Sequence, residues 1–486
     1  MAYSLRSIVR GTSIYTLGSV LIKASGFLLI PVYTRYLTPD DYGVMSIVTV
    51  IVAILTAVLS MGMFQAQTRF YYDFNEDRDK VGRLLFSINV LVFSTALLVC
   101  VVLCVFGEGL FSRIIESDQV LFYPFVIIAI WTAFFHVFNQ LVANYYIADK
   151  KYTVSATILL VQFLITVVCV IYFVVILGEG ALGGVKGVLI AQVVSFAAFY
   201  WKYASHFVYR LNKRYLRDVL AMGLPVTIHS TSTAVLASVD KLIVEAFLPM
   251  SAVGLYTLGY KFGLVMSVIV IAVNRAWLPN YFELMKQPAG GRAHEIRRMF
   301  CLWMSGLGAM CIAGSVWSDQ LVRLMAAPDF YAAAEVVPLI LLAYFFQGIY
   351  FFMISPLFFF KKTAMLPLIT VAGAAVNVGL NFILIPRWGI MGAAATALAS
   401  YSIIAVFAWL IGRRYFDPRF ELGRLGLLIL AVSGLSVGGN LLGWPWPAEI
   451  LFVAAYVVLC FSLFPRYLKP LAARATGKLR PGHSSK

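Results

Sequence analysis

Leu37-Thr38-Pro39-Asp40-Asp41-Tyr42-Gly43-Val44 returns 211 residues later as Leu248-Pro249-Met250-Ser251-Ala252-Val253-Gly254-Leu255. Lys150-Lys151 falls on Lys361-Lys362 at the same offset, and after a gap of six Val185-Lys186-Gly187-Val188 falls on Ile390-Met391-Gly392-Ala393. Each match alone is made of small or turn residues common in membrane proteins. Three in register point to two related structural units. Two related lobes of membrane helices, with a site between them, are a usual construction of a transporter.

Working outward, the rest of the chain reads as membrane. It has 486 residues, 61% hydrophobic and only 12% charged, with mean hydropathy +0.88. A soluble domain carries about twice that charged fraction. Charge-free runs at 42–68, 84–107, 119–147, 152–178, 336–360, 363–386 and 425–448 each exceed the roughly 20 residues a span needs. The pattern predicts an all-α polytopic membrane protein with helices at 13–36, 43–65, 83–106, 120–147, 153–177, 185–206, 219–247, 252–276, 299–318, 331–358, 363–385, 388–412, 425–443 and 447–465. These fourteen fall into two pseudo-symmetric lobes around a central cavity. The expected division is an N-terminal lobe at 1–206, a cytoplasmic linker at 207–218, a C-terminal lobe at 219–414, two additional helices at 415–466, and a basic cytoplasmic tail at 467–486. The first apolar segment runs on as a full span and so does not fit a cleaved signal.

The net charge of +16 is a matter of topology. Thirty of the 38 Lys and Arg collect in alternate loops and at the two termini. Among them are Arg69, Arg78, Lys80 and Arg83; Lys202, Arg210, Lys213, Arg214 and Arg217; and Arg413, Arg414, Arg419 and Arg424. That asymmetry puts those loops and both termini in the cytoplasm and removes the reason to expect nucleic acid. The six cysteines all lie inside predicted helices without metal-ligand spacing, so they read as small hydrophobes. Neither a metal nor a cofactor is implied.

Eight basic residues remain. Arg35, Arg113, Lys186, Arg323 and Arg387 sit at far-side helix ends, where they can snorkel. Lys23, Lys241 and Lys261 lie deeper, and an ionisable group within a span marks a pathway or a buried pair. Thr12, Thr16, Ser19, Lys23 and Gly26 share one face of the first helix. Shifted by 211, that face becomes Gly223, Thr227, Ser230, Ala234 and Ala237, with Lys241 the next step along. His229, Thr233 and Asp240 form a second stripe beside it. Cavity candidates are therefore Lys23, Lys241, Lys261, Thr16, Ser19 and His229, and Asp240 and Glu245 are candidates for coupling to an ion. The plainer alternative is structural: Glu245 lies four residues after Lys241 and can pair with it, and Asp240 can neutralise Lys261. His136, Asn139, Gln140 and Asn144 in the fourth helix, like Gln347, Asn377 and Asn381, read as interhelical hydrogen-bonding groups. Pro31 and Pro225 should kink or loosen their spans.

Catalytic signatures do not occur. The chain shows neither a nucleophile elbow nor paired carboxylates, and its glycine-rich segment at 178–184 is an exported turn rather than a phosphate loop. The absence of a Gly-Lys-Ser/Thr run argues against ATP drive within this chain. The protein reads as a non-enzyme.

The residues resemble a known family. The run Arg35–Val44 resembles the first exported turn of bacterial oligosaccharide (O-antigen-type) flippases of the multidrug/oligosaccharidyl-lipid/polysaccharide exporter superfamily. Gly223-Leu224-Pro225, Asp240-Lys241 followed by Val253-Gly254-Leu255-Tyr256, and Trp388-Gly389-Ile390-Met391-Gly392-Ala393-Ala394-Ala395 are similar to patterns of that family. The resemblance implies a two-lobed bundle with alternating access and a cationic cavity. It implies movement of lipid-linked oligosaccharides, typically undecaprenyl-pyrophosphate sugars, across the bacterial cytoplasmic membrane for surface polysaccharide synthesis. A polysaccharide polymerase and chain-length machinery are then candidate partners, beside the membrane lipids. The chemistry suits that job, because a diphosphate cannot cross about 30 Å of hydrocarbon without neutralising cations. Three alternatives stay open: a multidrug/cation antiporter of the same superfamily, a peptidoglycan-precursor flippase, and a membrane subunit of an export machine with no transport of its own.

Overall fold

The computed structural model describes residue 27 and residues 29–467, apart from 75, 114, 116, 363–364 and 442–445; several helical side chains, His229 among them, also lie outside the described set. Of the first span, the helix Ile30–Tyr36 is described, with Pro31 in its first turn, where a missing N–H costs nothing.

The second span, Pro39–Leu59, shows why its leading residues are what they are. Thr38 caps it: its hydroxyl accepts the Asp41 N–H at 3.1 Å, while Asp41 Oδ2 accepts the Thr38 N–H at 3.0 Å. Pro39 occupies the first turn, with its φ already helical. The second oxygen of Asp41 accepts the Ala181 N–H at 3.0 Å, tying this turn to the start of the sixth span. The span ends at Leu59, earlier than the hydropathy run suggests. Met61 and Gly62 turn the chain with φ of 47° and 67°, and a separate helix, Met63–Phe74, carries the polar residues outward.

The third to sixth spans are Arg78–Phe106, Phe122–Ala148, Tyr152–Ile176 and Gly180–Ala204. The expected seventh helix is two: Lys213–Leu236 and Val239–Phe247, meeting at 44°. The helix continues through Pro225, and the break comes at Ala237–Ser238. Val239 starts the second piece, and Asp240 lies in its first turn, where the helix dipole favours negative charge. The eighth, ninth and tenth spans are Met250–Lys286, Ala289–Val316 and Pro328–Phe359. Met365–Gly412 is 48 residues long, about 72 Å of helix, more than twice the hydrocarbon thickness. Gly389, with φ of 58°, breaks it into the eleventh and twelfth spans. Leu422–Leu441 and Trp446–Leu463 complete the set. Together with the described end of the first span this fits a bundle of about fourteen, and no β-strand occurs among the described residues. The protein is an all-α, multi-pass membrane protein.

The chain divides into two compact units, Met1–Thr257 and Leu258–Lys486, the boundary falling inside the eighth span. In the first unit, buried amides join helices as their types suggest. Asn139 Nδ2 donates to Gln192 Oε1 at 2.8 Å, and Gln162 Nε2 donates to the same oxygen at 2.8 Å. In the second unit, Gln347 bridges Ser267 and Tyr401, at 3.3 and 3.2 Å. Asn381 donates to Asn377 along its own helix. At the end of the fourth span Asp149 accepts the Tyr71 hydroxyl at 2.6 Å and lies 2.6 Å from the Lys151 ammonium. Burial pushes the Asp149 carboxyl up, but these two partners outweigh it and hold it below the usual range.

Candidate functional site

The repeat that opened the sequence reading is a physical contact. Gly43 in the second span lies against the carbonyl of Met250, and Gly254 in the eighth lies against the carbonyl of Pro39. Residues 39 and 250 are themselves 211 apart, as are 43 and 254, so each contact is the image of the other. Three residues further on, Ser46 Oγ and Thr257 Oγ1 form a hydrogen bond of 2.7 Å, again across 211 positions. The two copies of the repeat therefore cross reciprocally, as if about a local two-fold axis. Small residues allow this because backbones can approach only where no Cβ intervenes. Backbone approach at the two glycines and the Ser46–Thr257 hydroxyl pair are among the contacts that join the helices here.

The second match is also structural. Lys150 and Lys361 both take left-handed backbone, with φ of 59° and 56°. The N–H of Lys151 reaches the Tyr146 carbonyl at 2.8 Å, and that of Lys362 reaches the Leu357 carbonyl at 2.8 Å. These are equivalent turns closing the fourth and tenth spans. Of the third match, Gly187 packs against the Val170 backbone and Gly392 against the Leu384–Ile385 backbone, each letting a helix lie close to the one before it.

The charged residues distribute as follows. Asp240, Lys241 and Glu245 lie on the short helix Val239–Phe247. Asp240 is buried; its Oδ2 accepts the Tyr256 hydroxyl at 2.6 Å and its Oδ1 accepts the Lys241 backbone N–H at 2.9 Å. Glu245 is buried too, and its Oε1 accepts the backbone N–H of Ser117 at 2.7 Å, fastening this helix to the loop before the fourth span. Lys241 is half-buried. Lys261, also half-buried, belongs to the second unit. Thr16, Ser19 and Lys23 lie outside the described residues, as does the side chain of His229. Sequence spacing missed Tyr256 and Ser117 as carboxylate partners, since a donor 16 or 128 positions away leaves no periodic trace. Among the described residues no cluster of His, Cys, Asp or Glu could hold a metal ion.

The second unit holds a cavity of about 360 Å³ between the eighth, ninth and tenth spans. Trp277, Trp303, Asn274 and Asn280 are among its walls. Trp277 stacks on Phe352 at 4.2 Å and donates its indole N–H to Ser355 at 2.9 Å, and Trp303 donates to the Gly348 carbonyl at 3.1 Å. Both rings are thereby held in fixed orientation. Among the described residues, none of Lys241, Lys261, Asp240 and Glu245 lines this cavity.

With the reciprocal crossing established, comparison with known proteins fits it. The family described as "Polysaccharide biosynthesis protein" matches residues 8–285, more than half of the chain. The chain belongs to that family. The protein called "Lsg locus putative protein 1" of Haemophilus influenzae is 23% identical over 291 residues, covering 58% of this chain and 67% of that one. An uncharacterized membrane protein of the same organism is 21% identical over 415 residues, covering 82% and 97%. Among solved structures, the lipid II flippase MurJ in an inward closed conformation matches with a TM-score of 0.75 at 14% identity, over 93% of this chain and 99% of that one. An inward-facing multidrug resistance MATE family transporter of the MOP superfamily matches with a TM-score of 0.67 at 14% identity, over 84% and 95%. At such identity the likeness shows the fold alone. The chain thus combines membership of the polysaccharide biosynthesis family with a fold shared with these transporters.

Proposed function

We propose that this protein translocates a lipid-linked oligosaccharide, of the undecaprenyl-pyrophosphate type, across the bacterial cytoplasmic membrane by alternating access, for surface polysaccharide biosynthesis. The observation that carries the reading is the reciprocal crossing of the second and eighth spans in a chain of the polysaccharide biosynthesis family. An alternating-access carrier needs a contact that closes one side and can part. Glycine contacts and a hydroxyl pair such as Ser46–Thr257 suit such a contact, since hydrogen bonds between membrane helices average only about 0.6 kcal/mol. Three features support the substrate class. Lys23, Lys241 and Lys261 provide cations for a diphosphate, and the cavity with Trp277, Trp303, Asn274 and Asn280 offers the indole faces and amides that sugars use. No acidic lumen of the kind a cationic drug would want is apparent in the sequence. Asp240 and Glu245 remain the carboxylates through which an ion gradient would act. The placement follows: a multi-pass protein of the cytoplasmic membrane with both termini in the cytoplasm, working beside a polymerase and chain-length machinery.

Reconstitution tests this directly. Full-length protein in vesicles is given a lipid-linked oligosaccharide with a fluorescent sugar, and an impermeant quencher reports the fraction that changes leaflet. Translocation is expected above the empty-vesicle level. In a background without native cysteines, Ser46→Cys with Thr257→Cys should stop it on oxidation and regain it on reduction. Vesicles that move a cationic dye but no oligosaccharide lipid would assign the protein to the antiporters. Vesicles that move neither would leave it a non-transporting subunit.

A further inference from the structure

A second feature of the Leu258–Lys486 unit is unconnected with the crossing. A groove of about 200 Å³ runs between the ninth, tenth, twelfth and thirteenth spans, walled by Met304, Phe346, Ile349, Val406, Leu425 and Ile429. It is open sideways: Val406 is half-exposed, and a Cβ added at Gly426 in its wall would meet nothing within 4 Å. Phe420, packed on Phe300 at 4.7 Å, and Trp409 stand at one end. Beyond them two narrower crevices continue, one lined by Arg413 and the other by Arg297.

The rim is basic. Segments 289–298 and 413–424 together hold seven arginines and three acidic residues. Two of the acids are engaged, Glu295 with Arg298 and Glu421 with Arg424. The third, Asp417, lines the Arg413 crevice and accepts the Arg419 backbone N–H at 2.8 Å. Among the described residues neither Arg297 nor Arg413 forms an ion pair. Arg413 lies over the Trp409 ring at 4.6 Å, and Arg297 donates to two backbone carbonyls, from Nε to Ala293 at 3.3 Å and from Nη1 to Arg419 at 3.5 Å. A guanidinium parked on an indole keeps its charge available to an incoming anion.

We propose that this groove and its rim hold one anionic phospholipid from the bordering leaflet, with an acyl chain between the spans and its phosphate on Arg297 and Arg413. The argument is complementarity. An apolar slot at hydrocarbon level accepts a methylene chain and nothing polar, and arginines without carboxylate partners at its mouth favour a charged headgroup over a zwitterionic one. Such a lipid would wedge the ninth, tenth, twelfth and thirteenth spans together as a fixed part of the fold.

The test uses purified full-length protein, with retained lipid counted by native mass spectrometry and thermal melting read alongside. The probes are phosphatidylglycerol, phosphatidylcholine with the same acyl chains, and undecaprenyl phosphate. One phosphatidylglycerol should stay bound and raise the melting temperature, and phosphatidylcholine should bind at least about tenfold more weakly, since each nearby arginine adds to anionic-lipid attraction. Arg297→Ala with Arg413→Ala should erase that preference. Gly426→Phe, which projects into open space, should expel the lipid; where it lowers the melting temperature of lipid-free protein, Val406→Trp on the exposed wall serves for the same measurement. Equal retention of both phospholipids, or undiminished binding in both groove variants, overturns the proposal. So does displacement of phosphatidylglycerol by equimolar undecaprenyl phosphate, which would make the groove a substrate channel.

Discussion

The crossing of the second and eighth spans allows a quantitative prediction. At Gly254, a methyl group would lie 2.9 Å from the Pro39 carbonyl carbon and 3.1 Å from the Gly43 nitrogen, with the carbonyl oxygen nearer still. At Gly43 it would lie 2.8 Å from Met250 Cγ and 3.0 Å from the Met250 carbonyl carbon. Ordinary contact begins at 3.4 Å, and backbone carbonyls on capped helices cannot rotate away, so the spans must separate by about 1 Å or more. That shift stretches the Ser46–Thr257 bond of 2.7 Å beyond hydrogen-bonding range. Overpacking of this kind costs roughly 1–3 kcal/mol, and the lost hydroxyl pair adds about 0.6. The closed contact should therefore weaken by a factor of about 15–400 in either alanine variant, or about 5–150 where cysteines already replace the hydroxyl pair. Because the two clashes are images across one crossing, the separation that relieves one relieves the other. Gly43→Ala with Gly254→Ala should cost little more than the worse single change. The assay is disulfide yield between cysteines at 46 and 257 in a cysteine-free background, scored by whether the halves stay joined after cleavage in the 207–218 segment. Additive losses in the double variant, or an unchanged yield in Gly254→Ala, would refute the reciprocal geometry.

Three further predictions concern the charges and the topology. Lys23→Ala should abolish glycan export at a normal membrane level of protein, with Lys23→Arg keeping part of it; full function of the alanine variant removes Lys23 from the pathway. Asp240→Asn should lower folded protein, because the Tyr256 hydroxyl then loses a charge-assisted acceptor worth about 1.5–3 kcal/mol. Tyr256→Phe should lower it by a similar amount, and the double variant should be no worse than either. Loss of transport with abundance intact in Asp240→Asn alone would instead mark that carboxylate as working in the transport step. Reporter fusions after Gly180 and after Lys213 should face opposite sides of the membrane, with the Lys213 fusion cytoplasmic.

Hydropathy and spacing settled a great deal here. Span number, helical class and the two-fold repeat follow from local rules, since each span is decided by about 20 residues of its own and each turn by its cap. The second helix starts at Pro39, four residues before the start at 43 that hydropathy suggests, because Thr38 and Asp41 cap it, and the Lys-Lys pairs at 150 and 361 mark equivalent left-handed turns. The same locality hid the break at Ala237–Ser238. A hydropathy run is blind to the direction of the backbone, and Pro225, the obvious candidate, stays inside a continuous helix.

What the sequence could not determine is partnership. It placed Asp240 and Glu245 on one stretch of helix and offered Lys261 and Lys241 as their counter-charges, because those lie at helical spacing or on the next span. The tertiary structure adds donors that spacing does not show, the Tyr256 hydroxyl on Asp240 and the Ser117 backbone N–H on Glu245. A buried carboxylate takes whichever donor packing brings within 3 Å, and that choice is made by helix crossing angles rather than by periodicity. The offset of 211 was legible from the chain alone. That its two copies touch each other reciprocally, glycine against carbonyl and Ser46 against Thr257, is a property of packing, because only the folded chain decides which small faces are close enough to meet.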